Sequence, residues 1–284
     1  MPTISYQRNL DSESSTFMKA IGEAVIEAGW EQVYIDSLAI GTGTEEGPEW
    51  DASFGSSGDS AGTVTYRLPD ISPVSPPWYL SIEAAWGTTA IRPFIREISL
   101  GNELRDNGAV VGTSLVVPPA SITTSTFSHT LSVSEHGIFF RIGSSTQSPT
   151  MFVERLRSPD GVVLDDFLIH LRANTSFFYK VTPYFGIIQT RAIVLHAATL
   201  PGPTVASSIT TQSPSLVDTS YILGPYFSGG APFNAPPRLA VLMSVADVSE
   251  DGFIILNVDG GPKEYRVEPT SITVSGGIYA VATE

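Results

Sequence analysis

Apolar residues recur at helical spacing in one place along this chain. In Ser15–Gly29 (STFMKAIGEAVIEAG), Phe17, Ile21, Ala24, Val25 and Ala28 form one apolar stripe, and Lys19, Glu23 and Glu27 lie off it. Ser14 or Ser15 suits the N-cap, and Gly29 suits the left-handed position after the last turn. Such a stripe belongs against a sheet. After it the period changes to two. Gln32–Ile40, Thr63–Leu68, Trp78–Ala85 and Arg92–Leu100 read as strands, with Asp106-Asn107-Gly108 as a tight turn. Further strands are expected at 128–134, 137–143, 150–157, 163–171, 177–182, 187–197, 239–245, 252–258, 263–267, 271–275 and 278–282. Ser158-Pro159-Asp160-Gly161 reads as the turn joining two of them into a hairpin.

The pattern between these elements suggests the organisation. Gly41–Gly62 is Gly-rich and acidic and reads as an exposed loop, broken at most by a short strand at Trp50–Phe54. Val116-Val117-Pro118-Pro119 precedes a shift to Ser/Thr-rich composition, which places a boundary there. The expected fold is mainly β with one N-terminal helix. Residues 1–117 form an α+β N-terminal domain, and residues 118–284 form an antiparallel β-sandwich or jelly-roll-like domain. Within the second, 200–237 carries a single charge, Asp218, yet holds Tyr221, Tyr226, Phe227 and Phe233. Disordered linkers are usually charged and poor in aromatics, so this reads as an extended arm on its own domain or on a neighbouring subunit.

Charge then narrows the function. The 284 residues hold 15 Lys and Arg against 29 Asp and Glu, a net charge of −14. That argues against nonspecific nucleic-acid binding, which requires a basic surface. Charged residues are only 15% of the chain, and weak charge with much apolar surface fits a protein that hides surface against other subunits as well as it fits a well-buried β-protein. No apolar run of about 18 residues suggests a membrane span, and the first residues lack the pattern of a signal peptide. There is no cysteine, so disulfides and thiolate metal sites are excluded.

Candidate chemistry is sparse. His129, His136, His170 and His196 are scattered without metal-ligand spacing, and no phosphate-binding loop or nucleophile elbow stands at a strand–helix junction. No cofactor or metal is expected. Glu154 and Asp166, on the two strands of the expected hairpin, are a carboxylate pair of the kind glycosidases use, although ion pairs with Arg155 and Arg157 account for them more simply. Trp78, Tyr226 and Phe227 are the candidate ligand-binding residues, as aromatic faces for a sugar, with core packing the plainer use.

The order of segments resembles a group of tailed-bacteriophage virion structural proteins. There a short N-terminal helix ends in Ala-Gly-Trp, here Ala28-Gly29-Trp30, before an apolar strand and a Gly-rich loop. A Pro-Pro-aromatic strand follows, here Pro76-Pro77-Trp78-Tyr79-Leu80-Ser81-Ile82-Glu83 up to Gly87, and later Phe152-Val153-Glu154-Arg155 leads to Asp160-Gly161. The resemblance covers roughly residues 15–165. It implies a non-enzymatic structural component of a phage particle, in the tail or its neck or baseplate connection. Such a protein is made in the host cytoplasm and resides in the virion, and its partners are copies of itself and other virion proteins. The alternative is a receptor- or glycan-binding tail-tip or fibre module whose partner is a host-surface glycan.

Overall fold

The computed structural model describes residues 4–36, 60–86, 93–116, 126–142, 150–157, 162–172, 176–182, 186–190, 209–211, 216–217, 222–223, 239–244, 252–258, 261–268 and 277–283. These form one helix and three antiparallel sheets. The chain starts in β1 (Ser5–Glu13) and turns directly into α1 (Ser14–Glu27). The N-terminal sheet follows as β2 (Glu31–Ile35), β3 (Ser60–Arg67), β4 (Tyr79–Trp86), β5 (Pro93–Leu104) and β6 (Val110–Val116), each paired with the next. The central sheet is a meander of β7 (Thr126–Ser134), β8 (Gly137–Ile142), β9 (Thr150–Arg157), β10 (Val163–Arg172), β11 (Ser176–Thr182) and β12 (Gly186–Thr190). The β9–β10 hairpin expected across 158–161 is present. β1, an element the hydrophobic pattern did not suggest, adds to this sheet beside β7. The first strand of the chain therefore belongs to the same sheet as β7, although the five strands of the N-terminal sheet lie between them in sequence.

The third, C-terminal sheet contains β13 (Ile209–Thr211), β14 (Leu216–Val217), β15 (Ile222–Leu223), β16 (Ala240–Ser244), β17 (Phe253–Val258), β18 (Gly261–Val267) and β19 (Gly277–Ala282). Its order is β14-β13-β17-β18-β19-β16-β15, so β14 and β15 stand at opposite edges although only four residues, 218–221, separate them. Chain reach limits that gap to about 18 Å. A flat seven-stranded sheet would hold its edges about 29 Å apart at the usual strand spacing. The sheet is therefore curled. Burial agrees: Tyr279 and Val281 are buried on one face, and Tyr265, Val267, Ala280 and Ala282 on the other. The described parts of the expected 200–237 arm are β13, β14 and β15, strands of this sheet; the expected strand at 271–275 lies outside the described residues.

Two apolar cores flank the central sheet, as period-two alternation dictates. Leu131, Val133, Ile138, Phe140, Ile142, Met151, Val153 and Phe167 face a core shared with α1 and the N-terminal sheet. Phe139 and Phe152 face a second core built with Leu239, Ala240, Tyr279 and Val281 of the C-terminal sheet and its approach. β8 is consequently buried along its whole length. α1 packs against β1 and β7 of the central sheet and β2 and β5 of the N-terminal sheet, with Ile21, Ala24, Val25 and Ala28 inward and Glu23 and Glu27 in solvent.

The helix exit has a specific geometry. Trp30 N–H donates to Val25 O and Gly29 N–H to Ile26 O, at 2.9 Å each, with Gly29 at φ +86°. This pair of bonds satisfies carbonyls that the last turn would otherwise leave free, and only glycine takes that φ without a steric cost. It also sends Trp30 into the core, where Nε1 donates at 2.9 Å to the carbonyl of Ser134, the last residue of β7. Ala28-Gly29-Trp30 thus anchors the helix to the central sheet.

Candidate functional site

The chemically distinctive region lies on the face of the central sheet that meets the C-terminal sheet. The register places Thr130 opposite Arg141 and Phe139 opposite both Ser132 and Phe152, and Glu154 shares the face of Phe152. Four polar residues of this face, Thr130, Ser132, Arg141 and Glu154, grip the neighbouring layer. Arg141 Nε donates to Glu268 Oε2, and both side chains are almost wholly buried. Thr130 Oγ1 donates to the same oxygen at 3.2 Å and accepts from Arg141 Nη2 at 3.2 Å. Ser132 Oγ donates to Ala282 O at 3.0 Å, and Leu239 N–H donates to Glu154 Oε2 at 3.1 Å. Tyr279 sits edge-on to Phe139 with ring centroids 5.2 Å apart.

The electrostatics follow from burial. The half-buried Tyr6 on β1 has its phenol pKa pushed up to about 12, first by burial and then by the negative charge of Glu268. His129, on the opposite face of β7, is pushed down to about 4, first by burial and then by the Arg141 charge. It is a neutral imidazole at neutral pH. Arg266 lies over Phe253, 5.4 Å from the ring centroid.

A second cluster forms where β9 and β10 meet the connector after β3. Arg155 Nη1 donates to Pro69 O at 2.6 Å, and its guanidinium lies 5.4 Å from the Phe167 centroid. Burial lowers the Arg155 pKa, opposed by Asp165, Asp70 and Glu135. Trp78 packs against the same Phe167 ring, 4.5 Å away between centroids.

The third polar group lies on the N-terminal sheet. Glu83 and Glu97 stand directly opposite each other on β4 and β5, an unfavourable placement for like charges. A bulge beside them inserts Arg96, which pairs with Glu83, and Ser99 Oγ donates to Glu97 Oε1 at 3.1 Å. Here the ion pair and hydrogen bond account for the two carboxylates.

The residues singled out in the sequence fall as follows. Trp78 is 1% exposed and fills the core between the N-terminal and central sheets; Tyr226 and Phe227 lie outside the described residues. Glu154 is opposite Leu168 in the hairpin register, and its carboxylate is engaged by Leu239. The side chain of Asp166 is not among those described. Sequence reasoning overlooked the Arg141–Glu268 pair. Its one visible signal was an arginine inside the otherwise apolar strand Gly137–Ile142, a position that requires a buried partner.

Among the described residues, no group of three or more His, Cys, Asp or Glu stands close enough to hold a metal ion, and no helix is long and apolar enough to cross a membrane. No protein-family model matches the chain, and no curated protein matches it. The class that the fold defines is a mainly antiparallel β protein with one helix, its layers joined by buried polar contacts.

Proposed function

We propose that this chain is a structural subunit of a tailed-phage particle, assembling through subunit interfaces in the tail or its neck or baseplate connection. The observation that carries the reading is the use of the buried charged side chains. Arg141, Glu154, Arg155 and Glu268 each bind a neighbouring layer. Charged groups kept out of water to fix how layers sit together suit a building block. The ordered sequence resemblance over residues 15–165 supplies the particle, and the low charge content agrees with surface reserved for other subunits.

Two measurements test it. Mass spectrometry of purified particles should find the chain at a stoichiometry typical of a structural protein; its presence in the lysate but not in particles overturns the reading. Light scattering on the purified full chain across a range of concentrations should give an oligomer. A monomer throughout would require a different virion protein as the partner.

A further inference from the structure

We propose that the C-terminal sheet is an exchangeable module. It docks on its own central sheet in the free chain and on the central sheet of a second copy in the assembled form. This rests on the reading of the chain as an assembling subunit.

Four observations carry it. Among the described residues, every strand pairing of the C-terminal sheet is internal to that sheet, and none forms a backbone ladder with the central one. The two cores on either side of the central sheet share no residue, so the seam core can open without dismantling the larger one. The seam contacts are complementary and directional. Arg141 and Thr130 take Glu268, Glu154 takes the Leu239 amide, and Ser132 takes the Ala282 carbonyl. These contacts are the same whichever chain supplies the module, and a buried ion pair fixes register against sliding. Finally, the eighteen residues 191–208 separate β12 from β13. They reach up to roughly 60 Å when extended, against about 10 Å between packed sheets.

The balance between the two forms is one of concentration. The covalent connection holds a chain's own module at a far higher effective concentration than a free copy in dilute solution, so the closed form prevails there. In an assembly, neighbours are held at comparable concentration and the exchanged form competes at little cost in contacts.

The absence of cysteine makes a clean test. Ser132 lies against the Ala282 carbonyl, next to Thr283, so Ser132→Cys with Thr283→Cys places two thiols across the seam and leaves Arg141–Glu268 intact. A short bis-maleimide is applied to dilute monomer and to the assembled fraction, followed by denaturing electrophoresis. The expected result is an internally closed single chain from the monomer and a ladder of covalent multimers from the assembly. An assembled fraction that closes only within chains overturns the exchange and leaves the assembly reading standing. A chain that never assembles with itself overturns the exchange, and the subunit reading is then decided by whether particles contain the chain. Should the variant fail to fold, unmodified heavy- and light-isotope chains are mixed, refolded and assembled. Mixed-label cross-links between residues 126–142 and 261–283 support the proposal, and same-label links alone overturn it.

Discussion

At the scale of single residues, burial decides the behaviour of His129. Its side chain is 1% exposed, and its pKa falls from 6.5 to about 4 because burial, and then the Arg141 charge, oppose the imidazolium. The unfolded chain takes up a proton near pH 6.5, and the folded chain resists until about pH 4. The unfolded state thus binds more protons across that window, so stability falls as pH drops through it and levels below. Between pH 7 and 5 the loss attributable to this residue is about 2 kcal/mol. Urea unfolding at pH 7, 6 and 5 should show His129→Leu losing less stability than the parent chain over that range. Parallel pH dependences for the two proteins would show that His129 does not carry it. Strand alternation makes a neutral structural histidine the natural sequence expectation at this position. The charge that helps hold it neutral, Arg141, faces the other side of the sheet and is visible only in three dimensions.

At the scale of elements, the β5–β6 turn shows what a local motif conceals. Asp106-Asn107-Gly108 signals a tight turn, and Gly108 has φ +77° as such a turn requires. The motif does not reveal that the turn folds over the sheet. Gly108 O accepts from Thr65 Oγ1 at 2.6 Å and from Ser81 Oγ at 3.3 Å, which buries hydroxyls on the face away from the main core. A Cβ at Gly108 would lie 2.0 Å from Tyr34 Cδ1. Gly108→Ala therefore adds a clash to the cost of left-handed backbone. Thermal or urea unfolding should report a loss of about 2–4 kcal/mol. Tyr34→Ala in the Gly108→Ala background should recover the clash component only. A Gly108→Ala chain as stable as the parent would show that the turn does not rest on Tyr34.

The same contrast explains what was legible. A strand such as Thr63–Leu68 is legible because Val64, Tyr66 and Leu68 line one face and Thr63, Thr65 and Arg67 the other. β1 is not, because SYQRNLDSE has almost no apolar alternation and is a strand only because β7 pairs with it. β6 was missed for a similar reason: as an edge strand paired only with β5, it carries two adjacent valines and a glycine rather than alternation. From sequence alone Trp78 reads either as a sugar platform or as a core ring, because the sequence cannot separate an exposed ring from a buried one. Its neighbour Phe167 lies on a different sheet, 89 positions away.

At the scale of the whole molecule, the central sheet is a middle layer, and its two faces use different physics. Towards α1 and the N-terminal sheet the contact is mainly apolar; towards the C-terminal sheet an ion pair is embedded among aromatics. A buried pair contributes little net stability, because desolvating both ions offsets their attraction, but removing one partner strands the other. Arg141→Met should therefore cost about 3–5 kcal/mol, since Glu268 would keep a buried charge without its guanidinium partner. Arg141→Met combined with Glu268→Leu should recover most of that loss and reach or exceed parental stability. Unfolding free energies of the four proteins in this cycle measure the coupling directly. Additive losses in the double variant would mean that the two side chains act independently and that the pair does not fix the seam. If the cycle closes as expected, stability is the wrong property to look for in the pair. The informative measurement is then the uniqueness of docking. The double variant, stable but lacking its directional contact, should show faster hydrogen exchange in β8 and β18 together, while the apolar contact between α1 and the N-terminal sheet stays protected.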